Sequence, residues 1–260
     1  MQKIYLREAF YDMIKQGSEE WRKQRVGMIT GSRVGAILGI NPFSSRDDVM
    51  REMVREHHRA EKEFIGNVAT GYGKANESNA IFELEIEYYI DVEETGFHVH
   101  SDYPWLGASP DGLIGDDAVA EIKCPYGLRN EKSPTFKTAK EQPHYLAQMQ
   151  VEMACASKDK CYFYQWNQYA NNLEMVYFDQ EWFDETTPKL YEFYLEYLEA
   201  IKNPGEYIED LVQLIPESVY ADNYIAAKDK LEEAKADLEE AKEQLIKLAS
   251  GKKSKIGDLL

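Results

Sequence analysis

Cysteine is scarce. Cys124, Cys155 and Cys161 are the only three in 260 residues, with no CxxC pair and no even disulfide framework. That set cannot supply the four thiolates of an iron–sulfur cluster, fits a reducing compartment, and leaves buried or idle thiols as the expectation. The five histidines offer no better ligand set. His98, His100 and His144 have none of the usual zinc spacings, and His57 with His58 reads as exposed helix surface. Long apolar runs are missing as well: nothing approaches the roughly 20 residues of a membrane helix. The opening MQKIYLREAFYDMIKQG is charged rather than signal-like, so a soluble, cytoplasmic protein is expected. An excess of positive charge is lacking too. The net charge is −17, which disfavours broad, non-specific binding to nucleic acid.

What is present is a chain that is 43% hydrophobic, long enough for one full domain and an appendage. Its charge is uneven, with Arg22, Lys23, Arg25 and Arg33 clustered near the start. Any nucleic acid is therefore expected in a local groove fed by the N-terminal segment. EEWRKQRVGMITGSRVGAILG reads as two helices around a turn at Gly27, the second capped by Thr30, Gly31 or Ser32 and able to meet an anion. DDVMREMVREHH is a third helix. Glycines between Gly66 and Gly73 loosen the chain before a helix over Asn76 to Ile90. Phe97 to Pro125 reads as successive strands of one sheet. Pro143 to Ala156 is helical, CYFYQWNQ and LEMVYFD are strands about a turn at Ala170-Asn171-Asn172, and Asp184 onward is helical to a stop at Asn203-Pro204-Gly205. The expected fold is α/β, a mixed central sheet flanked by helices.

The chemistry concentrates at SPDGL (Ser109 to Leu113) and at Glu121-Ile122-Lys123 on the following strand. Strand alternation sends Glu121 and Lys123 to one face and Ile122 to the core. If Asp111 lies beside that strand, two carboxylates converge next to an ammonium group. With the Ile122 carbonyl they would hold magnesium, with manganese as a substitute, because this hard ion takes oxygen ligands and keeps several waters. Lys123 would orient or deprotonate the attacking water, or stabilise the transition state.

The pattern P-D-x9-E-x-K is the PD-(D/E)xK nuclease signature, and SPDGL with EIKCPY resembles the lambda exonuclease and YqaJ-like viral recombinase family. WRKQRVGMITGS, GKANE and YLAQMQ are similar to further stretches of that family, in order, from Trp21 to Trp166. The resemblance implies a PD-(D/E)xK core, restriction-endonuclease-like. It also implies Glu77 as an acid near the metal, Gln148 as a glutamine lining the active site, and Arg25 with Ser32, helped by Thr30, as receptors of a 5′ phosphate. The expected activity is 5′-to-3′ degradation of one strand of linear duplex DNA, leaving a 3′ single strand for recombination. An endonuclease of the same fold and a non-catalytic DNA-end-binding or scaffold protein are the alternatives. A phage or prophage origin, a homo-oligomeric ring such as a trimer, and a single-strand annealing partner follow from the same resemblance.

The resemblance stops short of the tail. Residues 1–203 are expected to form the exonuclease domain and 204–260 a helical tail. There Leu231, Ala234, Leu238, Ala241, Leu245 and Leu248 alternate steps of three and four, the spacing of a short coiled-coil seam. That tail reads either as a solvated helix folding back or as an oligomerisation or partner-binding element.

Overall fold

The computed structural model describes residues 16–60, 68–208 and 219–249. Helix α1 (Glu19–Arg25) starts at Ser18, whose hydroxyl accepts from the Trp21 N–H. It leads through Gly27 into strand β1 (Ile29–Thr30) and helix α2 (Gly31–Ile37). Ser45 and Asp48 satisfy one another's backbone N–H groups in a capping box that starts α3 (Arg46–His57). Helix α4 runs over Val68–Tyr88. Gly71 and Gly73 thus lie inside a helix, not in a loosened segment before it, and neither would bring a side chain against a neighbour. Gly66 falls outside the described residues.

Strands β2 (His98–Val99), β3 (Leu106–Ala108), β4 (Gly112–Ile114) and β5 (Ala118–Lys123) follow. They do not make one sheet. β1, β3 and β2 form a three-stranded sheet in that order, and β4 and β5 join β6 (Lys160–Asn167) and β7 (Ala170–Tyr177) in a four-stranded one. In the larger sheet β5 runs parallel to β6, while β4 and β7 are antiparallel to their neighbours. The parallel pair needs a crossover, which helix α5 (Pro143–Ala156) supplies. Asn167 Oδ1 accepts from the N–H groups of Tyr169 and Ala170. The hairpin therefore turns at Gln168-Tyr169, and Asn171 and Asn172 are strand residues, not the turn.

Alternation along β5 and β6 builds two cores. Ala118, Ala120, Ile122, Tyr164 and Trp166 face α4 through Ala80 and Leu84. Val119, Cys161 and Phe163 face Met149 and Met153 of α5. The aromatic run of β6 is therefore mostly core, and the three cysteines are buried free thiols. Burying side chains the size of Phe163 and Tyr164 contributes about 2–3 kcal/mol each. The opposite side of α5 packs against α2, α3, β3 and helix α6 (Gln180–Ala200) in a third core. One glycine on α2 is needed for this approach: a side chain at Gly35 would collide with the Cβ and Cα of His144, whereas a Cβ at Gly31 would only touch the Gln148 carbonyl and Glu152.

Arg33 does not feed a groove. It is 6% exposed and donates to Glu52 (2.8 Å), Glu56 (2.6 Å) and the Met28 carbonyl (3.3 Å), tying α2 to α3.

By contacts the chain divides into residues 1–210 and 211–260. A short helix α7 (Gly205–Ile208) beyond the Pro204 stop belongs to the first unit, where Arg51 donates to the Glu206 carbonyl and lies over Tyr207. The second unit contains helix α8 (Val219–Ala249), on which Leu231, Leu238, Leu245 and Leu248 are exposed. Among the described residues no helix is long and apolar enough to cross a membrane.

Arg33→Ala would strand two carboxylates, one of them half-buried. It should destabilise the protein by about 2–3 kcal/mol, below the full cost of breaking a buried pair because Glu52 is largely solvated. Urea unfolding checks this, and a loss under about 0.5 kcal/mol, the scale of an ordinary surface substitution, would show that the cluster does not hold α2 to α3.

Candidate active site

β4 pairs with β5 only as far as Gly112 opposite Ala120, where the Asp111 N–H donates to the Ala120 carbonyl at 3.0 Å. There β4 ends, and the next β5 group on that edge, the Ile122 N–H, donates to Asp111 Oδ2 at 2.7 Å. A carboxylate thus takes the place of a strand. The Ile122 carbonyl lies on the same strand edge as its N–H, because both groups of one β residue point the same way. Gly112 is required by close packing, since a Cβ there would collide with Val92 and crowd the Glu93 carbonyl.

Glu121 and Lys123 project from the face of β5 that meets α5. Glu121 is 1% exposed. Its Oε1 pairs with Lys123 Nζ and accepts from Gln148 Nε2 at 2.8 Å, while its Oε2 has no partner. Lys123 Nζ also lies 4.6 Å from the Tyr145 ring centre. Gln150, two residues beyond Gln148, points elsewhere: it joins the Tyr177 carbonyl to the Asp179 N–H. Glu77, half-buried on α4, is close enough to feel the charges of Glu121 and Lys123.

Asp111, Glu121, Lys123, Gln148 and Glu77 line one cleft of about 3320 Å³. Arg25 and Ser32 line it too. Arg25 stacks 3.9 Å over the Trp21 ring and reaches Thr30 Oγ1 at 3.4 Å; that oxygen in turn lies 3.3 Å from Ser32 Oγ. Thr30 is buried behind them and not in the cleft wall. Trp21 Nε1 donates to Ser109 Oγ at 2.8 Å, linking this corner to the turn that carries Asp111. Among the described residues Arg25 has no carboxylate partner. Burial, and then the nearby Arg33, lower its pKa to about 10, so it is still a cation at neutral pH.

A profile of the YqaJ-like viral recombinase domain matches residues 20–159, which hold all of these residues. The chain belongs to that family. It is similar to an alkaline exonuclease (LHK-Exo) from Laribacter hongkongensis, at 28% identity and TM-score 0.60 over 73% of this chain and 97% of that one. The same enzyme in complex with dAMP aligns at TM-score 0.61. A phage related exonuclease from Haemophilus somnus 129PT shares the fold, at 17% identity and TM-score 0.56 over 68% of this chain and 96% of that one. An uncharacterized protein of Acanthamoeba polyphaga mimivirus is 22% identical over 162 residues, 58% of this chain. The chain spans only 29% of that viral protein's length.

Within this YqaJ-like site, sequence reasoning missed Glu152. It lies one helical turn after Gln148, is 1% exposed, accepts from Gln148 Nε2 at 2.8 Å and has an unpartnered Oε2. The i,i+4 spacing from Gln148 was the available signal. The cleft wall also mixes acids with bases about equally, so it is not the basic groove that the N-terminal cluster implied. Lys23 is engaged with Glu19 at 2.6 Å.

Asp111 and Glu121 with the Ile122 carbonyl fit a hard divalent cation. The donors are all oxygens, Glu121 Oε2 is buried without a partner, and the two carboxylates repel one another. Among the described residues no three His, Cys, Asp or Glu side chains converge on one point, so the remaining positions would be filled by water and substrate.

Burial, and then the charge of Glu121, push the Asp111 carboxyl well above the ordinary range. A carboxyl with a raised folded pKa gives its full stability below its unfolded value, about pH 4, and loses it as pH climbs through the folded value. Held in EDTA, the protein should lose thermal stability as pH rises from about 4 toward neutrality. Asp111→Asn should flatten that slope. Identical slopes in the two proteins would show that Asp111 is not held in this way.

Proposed function

We propose that this chain is a metal-dependent exonuclease that degrades one strand of linear duplex DNA from its 5′ end, leaving a 3′ single strand for recombination. The observation that carries the reading is the meeting of Asp111, Glu121 and Lys123 where β4 leaves β5, on the floor of a cleft. Membership of the YqaJ-like family and the 28% identity to an alkaline exonuclease give that chemistry its substrate class.

Asp111, Glu121 and the Ile122 carbonyl would hold magnesium or manganese. When bound, the cation supplies a more acidic water and offsets charge on the phosphate oxygens. Lys123 acts as a cation. Burial works to lower its pKa, but Glu121 and Asp111 outweigh it and hold the ammonium form well past the ordinary lysine range. This favours orienting the water or stabilising the transition state over removing a proton. Gln148 fixes Glu121 by hydrogen bonding, and Glu77 of α4 adds a further acid to the cleft lining.

Arg25 and Ser32, braced by Thr30 and Trp21, are the receptors for a terminal 5′ phosphate. A partly desolvated cation that, among the described residues, has no carboxylate bonded to it gains more from an anion than a solvated one does. The same reading takes the protein as phage- or prophage-derived and active in the cytoplasm of a bacterial host. It also takes the first unit, through α7, as the nuclease domain, assembled as a trimer or other ring around DNA and serving a single-strand annealing protein. The exposed leucines of α8 support a tail helix that joins copies or partners.

The test is digestion of a linear duplex labelled at one 5′ end, phosphorylated or not, with magnesium or EDTA. Wild type should release 5′ mononucleotides only with magnesium, and Lys123→Ala should be at least about 100-fold slower, the scale of one lost transition-state contact. Internal cuts would indicate an endonuclease, and binding without turnover a DNA-end-binding protein. In the same assay Arg25→Ala should erase most of the preference for phosphorylated over unphosphorylated ends, about 10-fold or more for a charge-assisted contact, and slow unphosphorylated ends little. Equal loss on both substrates would remove Arg25 from the phosphate site.

A further inference from the structure

We propose that Glu152 is a positioning residue: it holds the Gln148 amide, and through it the Glu121 carboxylate, in a single orientation. The proposal rests on reading Asp111, Glu121 and Lys123 as the nuclease centre. A side-chain amide nitrogen carries two N–H groups and its oxygen only accepts. Gln148 Nε2 lies 2.8 Å from Glu121 Oε1 and 2.8 Å from Glu152 Oε1. Both hydrogens are thereby used, and the amide oxygen is turned away from the two carboxylates. With Glu121 as its only acceptor the amide would be held at a single point, and Glu121 would lose a donor fixed in orientation.

Glu152 is poorly explained as a fold element. It is 1% exposed and one of its oxygens has no partner. Burial, and then the charge of Glu121, push its carboxyl well above the ordinary range. A leucine of similar size would fill the same space between α5 and Gly31 and remove the orphaned oxygen, a gain that opposes the cost of leaving one Gln148 N–H without its acceptor. What leucine cannot do is accept from Gln148. Gly31 of α2 lies directly against this pair: a Cβ there would stand 3.6 Å from the Glu152 Cγ and 3.5 Å from the Gln148 carbonyl, in ordinary contact with both.

The experiment compares wild type with Glu152→Leu and Glu152→Gln by three readouts: steady-state digestion of a 5′-phosphorylated linear duplex, thermal midpoint, and calorimetric titration with manganese. Glu152→Leu should lower kcat about 10- to 100-fold and weaken manganese binding by a similar factor, the usual scale for a group that orients a ligand. KM for DNA should stay within about twofold, because the lost interaction serves the transition state rather than DNA binding. The melting temperature should change little, because relief of the buried, half-satisfied carboxyl offsets the lost hydrogen bond. Glu152→Gln, which keeps an acceptor for the Gln148 N–H, should restore kcat and manganese affinity to within about threefold. A fall in melting temperature that parallels the fall in activity would overturn the proposal in favour of a structural role, as would wild-type kcat and manganese affinity in the leucine variant, or a glutamine variant as impaired as the leucine one. If wild type itself releases no nucleotides while the leucine variant still loses manganese affinity, the nuclease reading fails and the positioning role stands.

Discussion

One hydrogen bond organises the site: the Ile122 N–H to the Asp111 carboxylate. A strand edge inside a protein must find partners for its backbone groups. β5 finds them in β4 up to Ala120 and then in a side chain. The substitution frees one edge of β5 while keeping its amide satisfied, and so an acid can sit within the protein against a second acid on the same strand. Gly112 follows from this, because the chain must leave the sheet against Val92 and Glu93. So does the ion pair of Glu121 with Lys123, which offsets part of the repulsion between the carboxylates.

Charge is the next constraint. A protein of net charge −17 cannot hold a polyanion by bulk attraction. Its cleft does not escape this, since acids and bases line it about equally, and the buried carboxylates there repel phosphate and one another. A divalent cation held there would relieve both problems at once. Away from that point the attraction has to come from single well-placed cations. Arg33 is not one of them, being enclosed by Glu52 and Glu56, whereas Arg25 is stacked on Trp21 and faces the cleft.

Much of this was readable in the sequence, and what was not has a common cause. Helix α5 was bounded correctly because Pro143 can start a helix but not continue one, and the apolar spacing after it is helical. Alternation placed Glu121 and Lys123 on one face without any tertiary information. Sheet membership was not readable: four short strands between Phe97 and Pro125 carry no mark of which long-range partner each will take, and they divide between two sheets. Charged residues posed the same difficulty one at a time. Arg33 and Glu152 look like solvated surface in the sequence, and each is buried through partners distant in the chain or on a neighbouring element, Glu52 and Glu56 for Arg33 and the packing of α5 against α2 for Glu152. The hairpin turn shifted because Asn167 bonds its own backbone, a local preference stronger than the Ala170-Asn171-Asn172 signal.

The similarity to the YqaJ-like family ends at residue 159, before β6 begins. Every candidate site residue lies ahead of that boundary, yet the geometry depends on what lies beyond it. Glu121 is paired in register with Phe163 and Lys123 with Gln165. Gln165 in turn holds the loop after β5 by donating to the Lys137 carbonyl at 2.7 Å and accepting from Gln142 at 3.1 Å. Glu174 on β7 accepts from the Ala139 N–H at 2.8 Å. β6 and β7 therefore fix both the strand that carries the acids and the segment that leads into α5 and Gln148. The matched segment holds the chemistry, and the strands after it hold that chemistry in register.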